Sequence, residues 1–103
     1  MYRHFKAEFF RVLANPARLR ILDILRNGEL TVGEIQEELG AEQSTVSQHL
    51  ASLRSINFVQ SRRQGTSVWY SVSDPLVWKM LDVAREIYDR QLRAGKKMLE
   101  RLG

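Results

Sequence analysis

A tight turn at Gly40 constrains this chain more than any other feature, because a helical pattern adjoins it on each side. Before the turn, Thr31 and Glu34 stand three residues apart as in a capping box, which predicts a short helix that begins there and ends at Leu39. After the turn, the next helical pattern follows within about three residues. Two helices connected this closely predict a helix-turn-helix.

The helix after the turn has two contrasting faces. Val46, Leu50 and Leu53 repeat at i, i+4 and i+7, so we expect them to face the core. The opposite face consists of Gln43, Ser44, Ser47, Gln48 and Ala51. Short polar side chains cover little core and add no charge, so we interpret this face as a surface for a polar partner. For any single residue, plain helix solubility is the alternative.

Patterns before this unit predict two further helices. The first is rich in aromatic residues and stops before Asn15. Asn15 is expected to cap a second helix, which runs from about Pro16 to Asn27 and is followed by Gly28.

Patterns after the helix-turn-helix predict a hairpin. Two β-prone runs begin at Val59, and the turn between them falls at "QGT", residues 64–66. Arg62 and Arg63 would lie near its tip, where they suit phosphate contacts or, alternatively, protect a solvated hairpin edge. The predicted fold class is mainly α with a small β-hairpin: four helices, two strands and a fifth helix, which is a winged helix-turn-helix.

The last segment predicts a helix from Pro75 to Leu102 that is about 40 Å long. Its apolar stripe is longer than so small a core can cover, and the first helix carries another apolar face. A second copy of the chain would cover both, which predicts a two-fold homodimer; a frayed end beyond Leu92 is the alternative. The residues expected at the dimer interface are Phe5, Phe9, Trp78, Leu81, Ile87, Tyr88 and Leu92.

Length and composition fit one domain over residues 1–103, with residues 1–14 and 75–102 as its dimerisation helices. We find no apolar run long enough to cross a bilayer and no signal peptide at the start, so we expect the protein in the cytoplasm. The absence of cysteine excludes disulfides, thiolate metal sites and cysteine nucleophiles. Without a phosphate-binding glycine loop, a zinc-protease motif or a nucleophile elbow, we do not expect an enzyme.

Charge is distributed unevenly along the chain. The net charge of +4 favours anionic partners. Residues 21–42 hold six acids and one base, whereas residues 43–72 hold three arginines and no acid. The acid-free segment therefore predicts a face kept clear for phosphates.

Three stretches give the chain a family resemblance. They are "LANPARLRILDIL", "LTVGEIQEELGAEQSTVSQHLASLRSINFV" and "RRQGTSVWYSV". In this order they resemble the second helix, the helix-turn-helix and the wing of the ArsR/SmtB family of winged-helix repressors. The resemblance implies a regulator that binds double-stranded DNA as a homodimer. It would insert its fourth helix into successive major grooves of an inverted repeat and block transcription until an inducer binds.

The resemblance also assigns candidate site residues. It places base and phosphate contacts on Gln43, Ser44, Thr45, Ser47 and Gln48, with His49 beside them. It places wing and backbone contacts on Arg62, Arg63, Gln64 and Thr66. Arg54 is expected either to contact phosphate or to bind carbonyls at its helix end. Glu42 departs from the family, which often has a capping serine there; a carboxylate suits the helix dipole but would repel a phosphate.

A conventional metal sensor is not expected. The family's cysteine site falls on Thr31 and Gly33, and its last-helix site finds only Asp74. The histidines are His4 and His49, and a metal held by His4 with acids across the dimer is the remaining alternative. We therefore expect no metal and no cofactor.

The sequence leaves three alternatives for regulation: a small organic effector, a regulatory protein or no effector. Five aromatic residues either line an effector pocket or form plain core: Phe5, Phe9, Trp69, Trp78 and Tyr88. The long last helix leaves one alternative to DNA binding, a winged-helix protein-interaction module that has lost specific DNA binding.

Overall fold

A computed structural model describes residues 2–102 of the chain and the side chains of residues 5–102. Its elements are α1 (Tyr2–Leu13), α2 (Pro16–Ile24), β1 (Leu30–Thr31), α3 (Val32–Leu39), α4 (Gln43–Ser55), β2 (Val59–Gln64), β3 (Ser67–Val72) and α5 (Leu76–Leu102). A 3-10 turn, Leu25–Asn27, follows α2. The predicted order of helices and hairpin is confirmed. The side chain of His4, named above as an alternative metal ligand, lies outside the described residues.

Asn15 caps the start of α2, as predicted. Its Oδ1 accepts hydrogen bonds from the backbone N–H groups of Ala17 at 2.9 Å and Arg18 at 3.2 Å. Pro16 occupies the first turn, where a missing N–H costs nothing. The cap thus fixes the direction in which α2 leaves α1.

Thr31 begins α3 through the predicted capping box. Its hydroxyl accepts a bond from the N–H of Glu34 at 3.2 Å, and the Glu34 carboxylate accepts one from the N–H of Thr31 at 3.0 Å. The helix ends at Gly40, whose φ of 70° lies in the left-handed region that favours glycine. Both ends of the first helix of the helix-turn-helix are therefore fixed locally.

Replacement of Thr31 by alanine is expected to lower the free energy of unfolding by about 1 kcal/mol, because the N–H of Glu34 loses its acceptor. In thermal unfolding followed by circular dichroism, this corresponds to a fall in Tm of about 4–8 °C. Thr66→Ala is the control, since Thr66 is exposed in the hairpin turn. An equal fall in both variants would contradict a specific role of the cap.

The sheet has three strands, not the two that the sequence predicted. β1 pairs antiparallel with β3, with Leu30 opposite Tyr70 and Thr31 opposite Trp69, and the strand order is β1-β3-β2. The hairpin of β2 and β3 turns at Gly65, which has a φ of 61°. A two-residue strand shows no periodicity, so β1 could not be predicted from residue spacing.

The core holds α4 against α1, α2 and α3. Val46, Leu50 and Leu53, which were predicted to face inward, are at most 1% exposed. They share one cluster with Ile21 and Leu22 of α2, both fully buried. Because this inner face is fixed in the core, the opposite face of α4 is fixed toward solvent.

Polar contacts join the first part of α5 to α2 and to the 3-10 turn that follows α2. The indole N–H of Trp78 donates to the carbonyl of Leu22 at 2.8 Å. Arg26 donates to the carboxylate of Asp82 at 2.8 and 3.3 Å and to that of Asp23 at 2.9 Å. The start of α5 is therefore tied to the helix that precedes the helix-turn-helix.

The rest of α5 extends away from the core. The molecule measures 62 × 37 × 23 Å with a radius of gyration of 16.9 Å, whereas a compact chain of this length has about 13 Å. The apolar stripe that begins with the buried Val77 continues along one side of the helix. We call its exposed part the outer stripe: Tyr88, Leu92, Leu99 and Leu102, which are between 54% and 79% exposed.

The residues predicted at a dimer interface fall into two groups. Phe9, Trp78 and Leu81 are half-buried within the chain's own fold, and the Phe9 ring packs edge-on to Phe58 at 4.8 Å. The others are exposed: Phe5, Ile87, Tyr88 and Leu92. α5 is helical as far as Leu102.

No helix within residues 2–102 is both long and apolar enough to cross a membrane.

Candidate nucleic-acid interface

The outer face of α4 is a continuous surface of short polar groups. It includes the predicted residues Gln43, Ser44, Thr45, Ser47 and Gln48, all of them exposed. Among the described side chains, those of residues 5–102, none of these five forms a hydrogen bond with another residue. Their donors and acceptors are thus free to meet base edges and phosphates, which is the chemistry that a DNA groove requires.

Glu42 precedes α4 at the N-cap position, and its carboxylate accepts no hydrogen bond from the helix. The first N–H groups of α4 therefore have no side-chain cap, and they carry the positive end of the helix dipole. Such a helix start can bind a phosphate. The predicted repulsion between Glu42 and a phosphate stays a prediction.

His49 is turned toward α2 and away from the free outer face. Its ring is half-buried, and Nδ1 accepts a hydrogen bond from Nε of Arg18 at 3.1 Å. Burial lowers the pKa of His49 below its ordinary value, and the positive charge of Arg18 lowers it further. The sequence placed His49 beside the contacting residues, whereas the structure gives it a partner inside the protein.

Arg62 is held within the wing. Its guanidinium lies 5.6 Å from the centre of the Trp69 ring on the middle strand and donates to the carboxylate of Glu29, just before β1. It also donates to Oε1 of Gln64 at 2.7 Å. The hydrogen bond from Arg62 lowers the pKa of Glu29, which keeps that carboxylate ionised. Arg62 and Gln64 are therefore bound to protein groups, although the sequence placed both among free wing contacts.

Arg63 is the other arginine of the wing. It stands opposite Val68 in the hairpin and is exposed. With the described side chains, those of residues 5–102, it forms no ion pair. Thr66 in the hairpin turn and Arg54 in the last turn of α4 are also exposed, so three of the predicted backbone contacts remain accessible.

Among the described residues, the aromatic side chains considered for an effector pocket lie in separate places, and Tyr88 is exposed on α5. Trp69 lies beside the wing arginine, and Trp78 is bonded to α2. Phe5 and Phe9 pack together, with ring centres 6.1 Å apart. In the described part of the chain no group of three His, Cys, Asp or Glu side chains is placed to hold a metal ion.

Comparison with known proteins identifies the family. Residues 15–61, from the cap of α2 into β2, match the model of the bacterial regulatory proteins of the arsR family. The HTH-type transcriptional regulator Rv0081 of Mycobacterium tuberculosis is 42% identical over 98 residues, which cover 94% of this chain and 86% of that protein. The chain belongs to the ArsR family. The family consists of transcriptional regulators, not of enzymes.

Solved structures agree with membership of the ArsR family. The crystal structure of Rv0081 gives a TM-score of 0.83 at 41% identity and covers 89% of this chain and 93% of that one. The homodimeric winged helix-turn-helix DNA-binding domain Mb0332 of Mycobacterium bovis gives 0.80 at 32% identity and covers 88% and 84%. The Synechocystis transcriptional repressor SmtB homolog is 40% identical over 83 residues, 81% of this chain and 61% of that protein. The protein is thus an ArsR-family transcriptional regulator with a winged-helix DNA-binding domain.

Two residues of this ArsR-family interface were missed in the sequence. Arg18 lies 31 residues from its partner His49, and Glu29 lies 33 residues from its partner Arg62. No local spacing marks pairs so far apart. The acid-rich composition of residues 21–42 was visible, but it gave no reason to single out Glu29 among six acids.

Proposed function

We propose that this ArsR-family regulator binds an inverted-repeat operator as a homodimer and represses the promoter that contains it. The outer face of α4 carries the proposal, because its polar side chains are exposed while its inner face is fixed in the core. Serine and threonine hydroxyls can donate to or accept from base edges, and the amides of Gln43 and Gln48 suit the N6 and N7 positions of adenine. Short side chains also let the helix lie close to the groove floor.

A second copy of the chain is the proposed partner of the outer stripe of α5. The stripe continues from the chain's own core, where Val77 is buried, onto a stretch that the described residues leave uncovered. The opposite side of the same helix carries Arg90, Arg93 and Lys97, so only one side suits apolar packing. Two copies related by a two-fold axis would cover each other's stripes.

This dimer would use residues 1–14 and 75–102 as its dimerisation helices within one domain over residues 1–103. The homodimeric state of the Mycobacterium bovis domain supports it. Repression is the proposed direction because a dimer on the promoter excludes the polymerase, and the Synechocystis relative is named a repressor. The regulator would act in the cytoplasm, where the bacterial chromosome lies.

Selection of binding sites from a random duplex library with the purified protein tests the proposal. We expect an inverted repeat whose half-sites lie about 34–36 Å apart, one helical turn of DNA. A reporter behind the selected operator should be expressed less when the regulator is present. Failure to enrich any sequence at roughly 50 mM or 200 mM salt would overturn the proposal.

Replacement of Arg63 by alanine is expected to weaken the salt dependence of operator binding more than replacement of Arg62. Arg63 has no ion-pair partner among the side chains of residues 5–102, so its loss should reduce the slope of log K against log salt by about 0.9 per subunit. The charge of Arg62 is already balanced by Glu29, so its loss should change the slope much less. Fluorescence anisotropy between roughly 50 and 200 mM salt measures both slopes.

Glu29→Gln is the control for the wing comparison. It removes the carboxylate that binds Arg62, and we expect a steeper salt slope because the released guanidinium becomes available to phosphate. Combining Glu29→Gln with Arg62→Ala should cancel that gain. Equal slope changes in Arg62→Ala and Arg63→Ala would show that both arginines contact phosphate in the complex.

A further inference from the structure

Arg18 joins three helices at the base of the DNA-facing element. It belongs to α2, its Nη1 donates to the carbonyl of Val12 near the end of α1 at 3.1 Å, and its Nε donates to Nδ1 of His49 on α4 at 3.1 Å. The guanidinium is rigid and planar, so both bonds fix the position of α4 relative to α1 and α2. α1 is one of the proposed dimerisation helices, and α4 is the helix proposed to read the DNA bases. Arg18 therefore links the proposed dimer interface to this reading helix.

The bond to Arg18 requires one particular form of the His49 ring. A ring nitrogen that accepts a hydrogen bond carries no proton, so neutral His49 must hold its proton on Nε2. A protonated His49 would present an N–H to the donor of Arg18 and would bring two positive charges together. The contact therefore exists only while His49 is neutral.

The surroundings of His49 favour the neutral ring. Burial lowers its pKa below the ordinary 6.5, and Arg18 lowers it further. Among the described residues of α1, α2, α3 and β2, Arg18 is the charged group that acts on it; α1 contributes the Val12 carbonyl. The folded chain thus takes up a proton on His49 less readily than the unfolded chain does. The neutral His49 ring therefore stabilises the fold above pH 6.5, and this contribution to the free energy of unfolding is lost as the pH falls through the lowered pKa.

We propose that Arg18 and His49 are positioning residues for operator binding, which set α4 at the angle that the DNA groove requires. Neither residue needs to touch DNA in this role. Operator affinity then depends on a neutral His49, and it weakens in acid because α4 is released from α1 and α2. The inference rests on the proposed use of α4 as the reading helix.

The test measures operator affinity at about pH 7.5 and at a pH below the pKa of His49 in the free protein, which NMR determines first. We expect wild-type affinity to fall by roughly tenfold in acid, because a charge-assisted hydrogen bond is lost in each subunit. His49→Asn should bind almost equally at both pH values, since its amide oxygen can replace Nδ1 as acceptor and does not titrate. His4 is present in both proteins, so any titration of His4 affects them alike.

Two arginine variants provide a matched control at neutral pH. Arg18→Met keeps the length of the side chain but loses its donors, and it should bind the operator as weakly as wild type does in acid. Arg20→Met removes the same charge from the same helix, but the hydrogen bond of Arg20 among the described residues goes to the Glu38 carbonyl of α3, at 3.4 Å, and not to α4. It should bind nearly as wild type. Circular dichroism checks that both variants are folded.

The ring itself gives a readout that needs no DNA. Nitrogen NMR of His49 in the free protein should show a protonated Nε2, an unprotonated Nδ1 and a pKa below 6.5. A proton on Nδ1, or the same acid loss in His49→Asn as in wild type, would overturn the inference. If a Ser47 and Gln48 double alanine variant loses operator binding while His49→Asn follows the wild-type pH curve, only this inference fails and the proposed function stands.

Discussion

Replacement of both Ser47 and Gln48 by alanine is expected to lower affinity for the selected operator by roughly 1,000-fold or more, to the level of non-specific DNA. Both side chains are exposed on the outer face of α4. Each base contact of this kind contributes about 1–3 kcal/mol of discrimination, and both subunits lose theirs together. Alanine is a good helix former, so the buried stripe of α4 should keep the helix in place.

The measurement compares operator and scrambled duplex by fluorescence anisotropy. The control removes one serine and one glutamine elsewhere, through Ser55→Ala and Gln60→Ala. Ser55 donates its hydroxyl to the Ser52 carbonyl at the end of α4, and Gln60 is exposed near the start of β2. We expect this control to discriminate like wild type. If the Ser47 and Gln48 variant also discriminated like wild type, α4 would not read bases through these two residues.

Replacement of both Leu92 and Leu99 by glutamate is expected to convert the proposed dimer into a monomer. The two leucines are 54% and 71% exposed in the single chain and would be buried between two copies. Burial of a leucine side chain contributes about 1.5–3 kcal/mol, and the dimer contains four. Carboxylates in their place would have to lose water without a partner. Sedimentation equilibrium should therefore report the mass of one chain.

The same variant should lose most operator affinity, because two half-sites are no longer bound by one linked unit. Arg90→Gln with Lys97→Gln is the control, as it lowers the net charge by the same amount on the opposite face of α5. It should remain dimeric. A dimer that survives the leucine changes would place the interface on a different surface.

Local features of the fold could be predicted because neighbouring residues encode them. The caps at Asn15 and Thr31 depend on side chains that reach only two or three positions along the chain. The buried stripe of α4 follows from spacing alone. β1 could not be predicted in this way, because its two residues become a strand only by pairing with β3.

In the candidate site, too, local patterns could be predicted and contacts between distant residues could not. The exposed hydroxyls and amides of α4 could be recognised as a polar face from the sequence, because no spacing placed them toward the core. His49 and Arg62 look similar in the sequence, as polar residues next to predicted contacts. Their partners Arg18 and Glu29 come from distant positions, and only the folded chain brings each pair together. In both pairs, a residue distant in sequence binds a polar side chain that would otherwise be free for DNA.

The length of α5 has a consequence for gene dosage. On the proposed dimer, a newly made chain keeps its outer stripe in water until it meets another copy, and only the pair occupies an operator. While dimers are scarce, their number rises with the square of the number of chains, so operator occupancy rises more steeply than synthesis. A promoter under this regulator would then respond to a threshold in protein level, and the apolar residues beyond Val77 would set where that threshold lies.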